Sequence, residues 1–369
     1  MNHAARVRRL QTDLSGSKLD FLLVTHLPNV RYLTGFTGSA AALLVGPFGA
    51  TLFTDGRYIA QAKQEVANAR IVIGNKSPMF AAAEWLGARR KSSRFHVSLG
   101  IEPESLSAGA RDRLAALIRE KIRGKVRVCS APPLIERARM VKDADEIRLI
   151  RKAIELGATL FRVARAKIKP GVSELEVAAA MEFEARSKGA EGMSFSTIIA
   201  AGPRSAVVHG RAAEARIPRR GFVVCDFGVI LAGYCSDRTR TVHVGQASKD
   251  ARAFYRAVLE AQLAAIAAVY PGVTGAEVDE AARSVLRKSG LARYFTHSTG
   301  HGLGLEIHEA PRLAAGQDQK LASGMVVTIE PGAYVPGKWG VRIEDVVVVT
   351  ATGCEVLTSR DKEKDLVVL

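Results

Sequence analysis

Residues 221–228 read GFVVCDFG, and residues 324–332 read GMVVTIEPG. Each is a short apolar run, rich in β-branched residues, that delivers one carboxylate just before a glycine. The carboxylate is Asp226 in the first run and Glu330 in the second. Apolar runs of this length, bounded by glycine, are typical of buried strands. The two stretches therefore predict two related strands, each ending in an acid.

A second repeated element precedes each of these strands. Residues 170–177 (PGVSELEV) recur 101 residues later as residues 271–278 (PGVTGAEV). Both copies contain the capping-box pattern, Ser173 with Glu176 and Thr274 with Glu277, in which hydroxyl and carboxylate each satisfy a free backbone N–H at a helix start. We therefore predict that this part of the chain is built from two halves related by a pseudo-twofold axis.

A further carboxylate lies downstream of each strand, Asp237 in the first half and Glu344 in the second. A hairpin in each half would bring Asp226 beside Asp237 and Glu330 beside Glu344. Four buried carboxylates repel one another and lose their solvation. Two divalent cations would neutralise them and would also generate a metal-bound hydroxide near neutral pH. The acids thus predict a dinuclear metal site.

Residues 295–309 contain three of the eight histidines of the chain, His297, His301 and His308. The glycines among them disfavour a helix, so we expect His297 and His301 on a loop or strand. One imidazole would complete the metal site. Three histidines in a glycine-rich stretch, beside paired acids in a duplicated frame, are difficult to explain by packing alone.

The first third of the sequence has a different organisation. Six short apolar runs alternate with segments of helical character such as residues 58–69 and 108–121, which predicts helices packed on a mixed sheet. We place this α/β domain at residues 1–131 and a turn-prone linker at 132–142. The second domain, 143–369, begins with a long helix that extends to about residue 169 and is ended by Pro170-Gly171.

Charge and composition limit the other functional classes. The formal net charge is +16, and residues 1–135 hold 20 Lys and Arg against 9 Asp and Glu, a net of +11. The basic clusters at 89–94 and 119–127 contain almost no aromatic residues for stacking on bases, so we expect a solvated surface and no nucleic-acid partner.

No apolar run approaches the roughly 18 residues that span a membrane, which favours a cytoplasmic protein. The four cysteines lack CxxC spacing, which predicts reduced, mostly buried thiols.

The acids and histidines resemble the active site of the pita-bread metallopeptidases, the family of Xaa-Pro aminopeptidase, prolidase and methionine aminopeptidase. This resemblance implies a pita-bread fold for residues 143–369. It also implies that five residues are the metal ligands: Asp226, Asp237, His301, Glu330 and Glu344. Residues 29–39 (NVRYLTGFTGS) and 54–58 (TDGRY) resemble the creatinase/prolidase-type N-terminal domain, which implies a ribonuclease H-like α/β fold for residues 1–131. Methionine aminopeptidases lack that domain, so the resemblance selects the branch that acts on proline peptides.

The resemblance also implies roles for residues around the metals. His209 ends a stretch, 194–209, similar to the strand and loop that carry a substrate-binding histidine. His297 and His308 stand where relatives place histidines that bind substrate and stabilise the intermediate, and Tyr334 and Arg342 match further active-site positions. The chain departs from the family pattern twice, with Val208 where Pro is common and Arg204 where Asn is common.

The implied activity is hydrolysis of the Xaa-Pro bond at the N-terminus of dipeptides or short peptides, by a metal-bridging hydroxide whose proton Glu330 passes to the leaving nitrogen. We expect two divalent ions, Mn²⁺ first, with Co²⁺, Zn²⁺ or Fe²⁺ as alternatives, and a homodimer in which residues 55–58 approach the partner's cleft. The rival interpretations are a creatinase-like hydrolase without metal, a non-catalytic pita-bread binding protein, and a two-metal phosphatase or nuclease. The sequence leaves open whether the enzyme is a dipeptidase or an aminopeptidase.

Overall fold

The computed structural model describes residues 1–89, 97–121, 126–358 and 365–369. The chain divides into two compact units, Met1–Arg139 and Met140–Leu369. The segment 132–142, where we placed the linker, contains a helix, Leu134–Met140. Among the described residues, no helix has both the length and the apolar composition that a membrane span requires.

The first unit is built on a six-stranded mixed sheet. Its strands are β1 (Phe21–Val24), β2 (Ala41–Gly46), β3 (Gly49–Asp55), β4 (Arg70–Gly74), β5 (Val97–Ile101) and β6 (Val126–Ser130). Their order in the sheet is β4-β3-β2-β1-β5-β6. The β1–β2 and β2–β3 pairs are antiparallel, whereas the other neighbours are parallel. Each of the six apolar runs contributes one of these strands, and the prediction of a mixed sheet is confirmed.

Helices pack on this sheet as expected. They are α1 (His3–Gly16), α2 (Leu27–Thr34), α3 (Ile59–Glu65), α4 (Pro78–Arg89) and α5 (Ala108–Lys121). A further helix, α6 (Leu134–Met140), follows β6 in the chain. The helix expected over 58–69 is shorter than predicted, because residues 56–58 form a 3₁₀ turn and Val66 is extended. Apolar side chains of α4 and α5, including Leu86 and Leu114, share one core with those of β2 and β3.

The two basic clusters of this unit fall partly outside the described residues, which omit 90–96 and 122–125. The four cysteines are all free thiols. Cys225 and Cys235 are buried, whereas Cys129 and Cys354 are partly exposed, so only two of the four thiols are buried where most were expected to be.

The second unit contains four long helices, α7 (Ala144–Lys167), α8 (Glu174–Ser187), α9 (Lys249–Ala267) and α10 (Gly275–Lys288). The long helix predicted from residue 143 is therefore α7, with Asp143 as its N-cap. Both predicted capping boxes are formed, Ser173 with Glu176 at α8 and Thr274 with Glu277 at α10. Each helix start is thus defined by its own sequence.

Strands of the second unit form two related groups. The first comprises β7 (Gly192–Met193), β8 (Ile198–Ala201), β9 (Gly221–Phe227), β10 (Val229–Leu231), β11 (Tyr234–Cys235) and β12 (Arg238–Val244). The second comprises β13 (Gly300–Gly302), β14 (Glu309–Leu313), β15 (Val326–Ile329), β16 (Gly332–Val335), β17 (Trp339–Arg342), β18 (Asp345–Val349) and β19 (Cys354–Val356). The sheets are ordered β11-β10-β7, β12-β9-β8, β14-β13-β15-β18-β19 and β16-β17.

The duplication predicted from sequence extends to the backbone contacts. Gly171 N–H donates to the Ile217 carbonyl at 2.9 Å, and its counterpart Gly272 donates to the Leu321 carbonyl, also at 2.9 Å. In the first half β9 pairs antiparallel with β12, and in the second half β15 pairs antiparallel with β18. Each half has its own apolar core under these strands, and the acids lie at the strand ends. The fold therefore brings the ends of four strands together.

Candidate metal centre

Four carboxylates stand at the ends of paired strands. Asp226 lies near the end of β9 and Asp237 directly before β12, whereas Glu330 directly follows β15 and Glu344 directly precedes β18. Ile329 pairs with Asp345, so the register places Glu330 and Glu344 at the same end of the second strand pair. Asp226, Asp237 and Glu344 are buried, and they offer carboxylate oxygens that all lie within 4.8 Å of one another. Three of the four acids that were predicted to converge therefore lie together in the fold.

His301 lies on β13 and joins this cluster. Its Nδ1 lies 2.9 Å from the Gly302 carbonyl, which can only accept, so the ring proton is on Nδ1 and a lone pair remains on Nε2. Nε2 lies 3.6 Å from Oδ2 of Asp237 and 3.4 Å from Oε1 of Glu330. Burial lowers the pKa of His301 to about 4, which keeps the ring neutral at pH 7. The imidazole therefore presents a lone pair to the carboxylates.

Two glycines allow His301 to occupy this position. A Cβ at Gly300 would lie 1.9 Å from the Thr328 carbonyl oxygen, and one at Gly302 would lie 2.3 Å from the Ala310 carbonyl oxygen. The neighbouring backbones are too close for any side chain at either residue. The prediction that these glycines keep His301 off a helix is confirmed.

The carboxylates are electrostatically frustrated in the absence of a cation. Burial raises the pKa of Glu330 to about 8. It also raises the pKa values of Asp237 and Glu344 well above their usual range, with a further increase from the neighbouring acids. Arg342 offsets part of this charge through an ion pair from its Nη2 to Oδ2 of Asp226. One guanidinium does not neutralise four acids.

Two further observations test whether a cation fits this site. Oε2 of Glu344 accepts a hydrogen bond from the Thr239 hydroxyl at 2.9 Å, but its Oε1 is buried and has no hydrogen-bond partner among the residues that the structure describes. The Nε2 lone pair of His301 faces carboxylate oxygens, which repel it unless a metal ion or a proton lies between them. Carboxylate oxygens with one imidazole suit divalent ions such as Mn²⁺, Co²⁺, Fe²⁺ or Zn²⁺. The residues therefore fit divalent metal.

Arg342 connects the acids to the other predicted residues. Its Nη1 donates to the Tyr334 hydroxyl at 2.7 Å and to the Val208 carbonyl at 3.1 Å. Because a guanidinium can only donate, the Tyr334 hydroxyl keeps its own proton and can donate it to Nε2 of His297 at 2.9 Å. Nδ1 of His297 donates to the Ser298 carbonyl at 2.8 Å. Burial lowers the pKa of His297 to about 4 and raises that of Tyr334 to about 12, so both are neutral at pH 7.

An open cleft of about 1400 Å³ leads to the acids. Four histidines line it: His209, His297, His301 and His308. The charged part of its wall consists of five acids and four arginines, namely Asp226, Asp237, Glu309, Glu330, Glu344, Arg211, Arg283, Arg312 and Arg342. The His308 ring meets the His301 ring edge to face at 4.5 Å. Burial, with the charge of Arg312, lowers the pKa of His308, so its neutral ring faces the cleft at pH 7.

Several supporting residues carried no signal in the sequence. The Thr239 hydroxyl donates to Glu344 and accepts from Nε of Arg342 at 3.1 Å. The Thr328 hydroxyl accepts the His301 backbone N–H at 3.0 Å and donates to Glu330 at 3.4 Å. Arg283 donates to the His297 carbonyl at 2.6 Å and is itself held by Asp279. Thr239 lies more than 100 residues from both of its partners and Thr328 lies 27 residues from His301, so only the fold reveals these contacts.

The chain matches two family models. Residues 148–351 match the model of metallopeptidase family M24. The chain belongs to metallopeptidase family M24. Residues 6–141 match the model of the creatinase/prolidase N-terminal domain. The two matches confirm the family that the acids and histidines resemble, and they make the protein a hydrolase of the peptidase type.

Solved structures and curated relatives are similar over nearly the whole chain. A structure of the Xaa-Pro dipeptidase from Bacillus anthracis has a TM-score of 0.91 at 38% identity and covers 100% of each chain. The Xaa-Pro dipeptidase of Pyrococcus horikoshii is 36% identical over 359 residues, 97% of this chain and 98% of its own length. An X-Pro aminopeptidase structure from Thermotoga maritima has a TM-score of 0.87 at 34% identity and covers 99% of each chain. The M24 pita-bread fold with its N-terminal α/β domain is thereby confirmed.

Proposed function

We propose that this protein is a metal-dependent exopeptidase that hydrolyses the Xaa-Pro bond at the N-terminus of dipeptides or short peptides. The observation that carries the proposal is the buried group of acids, faced by the His301 lone pair, that lines an open cleft. The names of the relatives, Xaa-Pro dipeptidase and X-Pro aminopeptidase, support proline as the second residue of the substrate.

In this proposal five residues hold two divalent ions: Asp226, Asp237, His301, Glu330 and Glu344. Mn²⁺ is the first choice, with Co²⁺, Zn²⁺ or Fe²⁺ as alternatives. When bound, such a pair of ions lowers the pKa of a water molecule and polarises the substrate carbonyl. The buried carboxylates would also attract the free α-amino group of the substrate, which explains cleavage at the N-terminus.

The chain's own residues supply the proton transfers. Glu330 accepts the proton of the attacking water and passes it to the proline nitrogen as the C–N bond breaks, so that the new C–O bond leaves a carboxylic acid and a secondary amine. In the metal-free protein, burial raises the pKa of Glu330 to about 8, so its carboxylate is more basic than an exposed one and better able to accept a proton. The Thr328 hydroxyl at 3.4 Å orients this carboxylate.

The histidines of the cleft stabilise charge and bind substrate. A neutral His308 still carries one ring N–H, and it can donate that proton to the oxygen on which negative charge develops. His209 and His297 line the same cleft and contact the substrate in this proposal, His297 through its ring carbons, since both of its nitrogens are hydrogen-bonded within the protein. The Tyr334 hydroxyl fixes His297 through Nε2, and Arg342 fixes Tyr334 in turn.

One assay tests the function directly. Ala-Pro and the matched dipeptide Ala-Ala, with the tripeptides Ala-Pro-Ala and Ala-Ala-Ala, are offered to protein reloaded with Mn²⁺, Co²⁺, Zn²⁺ or Fe²⁺. We expect metal-dependent release of alanine from the proline substrates only, and the dipeptide-to-tripeptide ratio then assigns dipeptidase or aminopeptidase activity. Equal cleavage of Ala-Ala, or no cleavage of either proline substrate with any of the metals, would overturn the proposal.

A further inference from the structure

The loop between β8 and β9, residues 202–220, carries His209 into the cleft. On the N-terminal side of His209, the Ser205 hydroxyl accepts the Gly340 N–H at 2.8 Å and the Val208 carbonyl accepts Nη1 of Arg342 at 3.1 Å. The His209 side chain is exposed, so its position depends on how the backbone on either side is held. The backbone on the C-terminal side of His209 is held by a separate contact.

That contact comes from Arg204. Nη2 of Arg204 donates to the Arg211 carbonyl at 2.9 Å. Nε of the same guanidinium lies 3.1 and 3.0 Å from the two carboxylate oxygens of Glu174. The planar guanidinium group thus contacts the Glu174 carboxylate and the Arg211 carbonyl at the same time. The single ammonium group of a lysine cannot reproduce this geometry.

Glu174 is a rigid partner for this arginine. It begins α8, its side chain is 0% exposed, and it also accepts the backbone N–H groups of Ala201 at 2.8 Å and Ala213 at 3.1 Å. Glu174 therefore ties the end of β8 to the chain just beyond Arg211. A carboxylate with this burial requires a countercharge, and Arg204 provides it.

The arrangement is confined to one half of the duplicated unit. The position equivalent to Glu174 in the second half is Gly275, where a Cβ would lie 2.2 Å from the Arg312 carbonyl oxygen. There the backbones pack directly, and no side chain fits between them. The Glu174–Arg204 pair is thus an addition specific to the loop that carries His209.

We propose that Arg204 is a positioning residue for substrate binding. By bridging Glu174 and the Arg211 carbonyl, it fixes the backbone on the C-terminal side of His209 and so sets the place of that imidazole in the cleft. This inference rests on the proposed function, in which His209 contacts the substrate. The bridge has two separable parts, an ion pair that compensates the buried Glu174 and a hydrogen bond that holds the loop.

Three variants separate these parts. Arg204→Lys keeps a cation near Glu174 but cannot also reach the Arg211 carbonyl, whereas Arg204→Ala loses both contacts. Arg216→Ala is the matched control, because Arg216 lies on the same loop and donates one hydrogen bond, at 2.7 Å, to the Gly171 carbonyl. Melting temperature, kcat and KM for an Xaa-Pro dipeptide, and amide hydrogen exchange over residues 205–213 are measured for each.

We expect Arg204→Lys to retain the melting temperature while KM rises by about 3–10-fold, the scale of one lost hydrogen bond, with little change in kcat. Arg204→Ala should show the same rise in KM and a lower melting temperature. In a His209→Ala background, Arg204→Lys should leave KM nearly unchanged, because its effect passes through His209. Hydrogen exchange over 205–213 should increase in both Arg204 variants and stay at the parent level in Arg216→Ala.

The readouts distinguish this inference from the proposed function. If the parent enzyme hydrolyses Xaa-Pro dipeptides but Arg204→Lys matches it in KM and hydrogen exchange, the positioning role is wrong. An equal rise in KM with and without His209 would overturn it as well. If exchange over 205–213 increases as expected while the parent cleaves no Xaa-Pro substrate, Arg204 holds the loop and it is the proposed function that fails.

Discussion

The Thr239 hydroxyl donates a 2.9 Å hydrogen bond to Oε2 of Glu344 and leaves Oε1 of that carboxylate buried, with no hydrogen-bond partner in the described part of the chain. Thr239 also accepts from Nε of Arg342, so its own proton is directed at Glu344. The carboxylate is thereby held in one orientation. A carboxylate oxygen of Glu344 lies within 4.8 Å of oxygens of Asp226 and Asp237, which is the arrangement expected of a metal ligand.

Removal of metal should therefore destabilise the protein as well as inactivate it. A ligand that binds only the folded state stabilises it by about 2.7 kcal/mol when present at 100 times its dissociation constant. We expect chelation to abolish peptidase activity and lower the melting temperature, and Mn²⁺ or Co²⁺ to restore both. Glu344→Gln, which keeps an acceptor for Thr239, should show a smaller metal-dependent gain in melting temperature. Full activity in a metal-free preparation would contradict the dinuclear site.

The metal-free protein should lose stability as the pH rises from about 6.5 to 8. Burial raises the pKa of Glu330 to about 8, so the folded state binds more protons than the unfolded state, and the free energy of unfolding falls as the pH increases towards 8. Asp237 and Glu344, also with raised pKa values, act in the same direction. His297 and His301, with pKa values lowered to about 4 by burial, act in the opposite direction, but only up to their unfolded value of about 6.5.

Thermal unfolding of the metal-free protein at several pH values measures this effect. The melting temperature of the parent should fall between pH 6.5 and 8. That of Glu330→Gln should fall less steeply, because this variant lacks one of the titrating acids. The melting temperature of the Mn²⁺-loaded protein should change less over the same pH range. A metal-free melting temperature that rises over this interval would show that the acids are not held in the protonated form.

Two histidines of the cleft should respond differently to substitution. His301→Ala removes the lone pair that faces Asp237 and Glu330, so both the bound metal and the rate should decrease. His308→Ala should lower kcat by roughly 10²–10³-fold, the scale of one oxyanion donor, with metal content near that of the parent.

His243→Ala is the control for both histidines. His243 is buried in β12, where its ring meets Phe222 edge to face at 5.2 Å and its Nδ1 lies 2.8 Å from the Gly245 carbonyl. Its loss should lower the melting temperature but leave metal content unchanged. The assignment of roles fails if elemental analysis finds metal lost from His308→Ala and retained by His301→Ala.

Lys142 should be important for stability, because it pairs with a carboxylate beside the cleft. Its Nζ lies 3.2 Å from Oε2 of Glu309, and the two side chains are only 1% and 6% exposed. Lys142→Met leaves that carboxylate without its lysine, which should cost about 3–5 kcal/mol of the free energy of unfolding. Adding Glu309→Gln, which retains an acceptor for the Glu306 N–H, should recover most of the loss in chemical denaturation. Equal stability of the single and double variants would show that the charge of Glu309 is not the cause.

The sequence by itself determined the features that local chemistry controls. Capping boxes are formed between residues three positions apart, so Ser173 and Thr274 mark their helices without help from the rest of the fold. The repeated apolar runs predicted paired strands ending in acids, and the glycines around His301 excluded a helix, because both effects act over a few residues. The similarity in sequence between the two halves of the second unit was then enough to predict that four acids converge at the ends of these strands.

Only the tertiary structure decided how those acids are supported. Thr239 and Glu344 are 105 residues apart, Arg342 and Asp226 are 116 apart, and Arg204 meets Glu174 across 30. Three features depend on which groups come within about 3 Å of one another after folding. They are the proton on Nδ1 of His301, the buried Oε1 of Glu344 and the two contacts of the Arg204 guanidinium. Hydrogen bonds and desolvation are short-range effects, and the order of residues along the chain does not specify such distances.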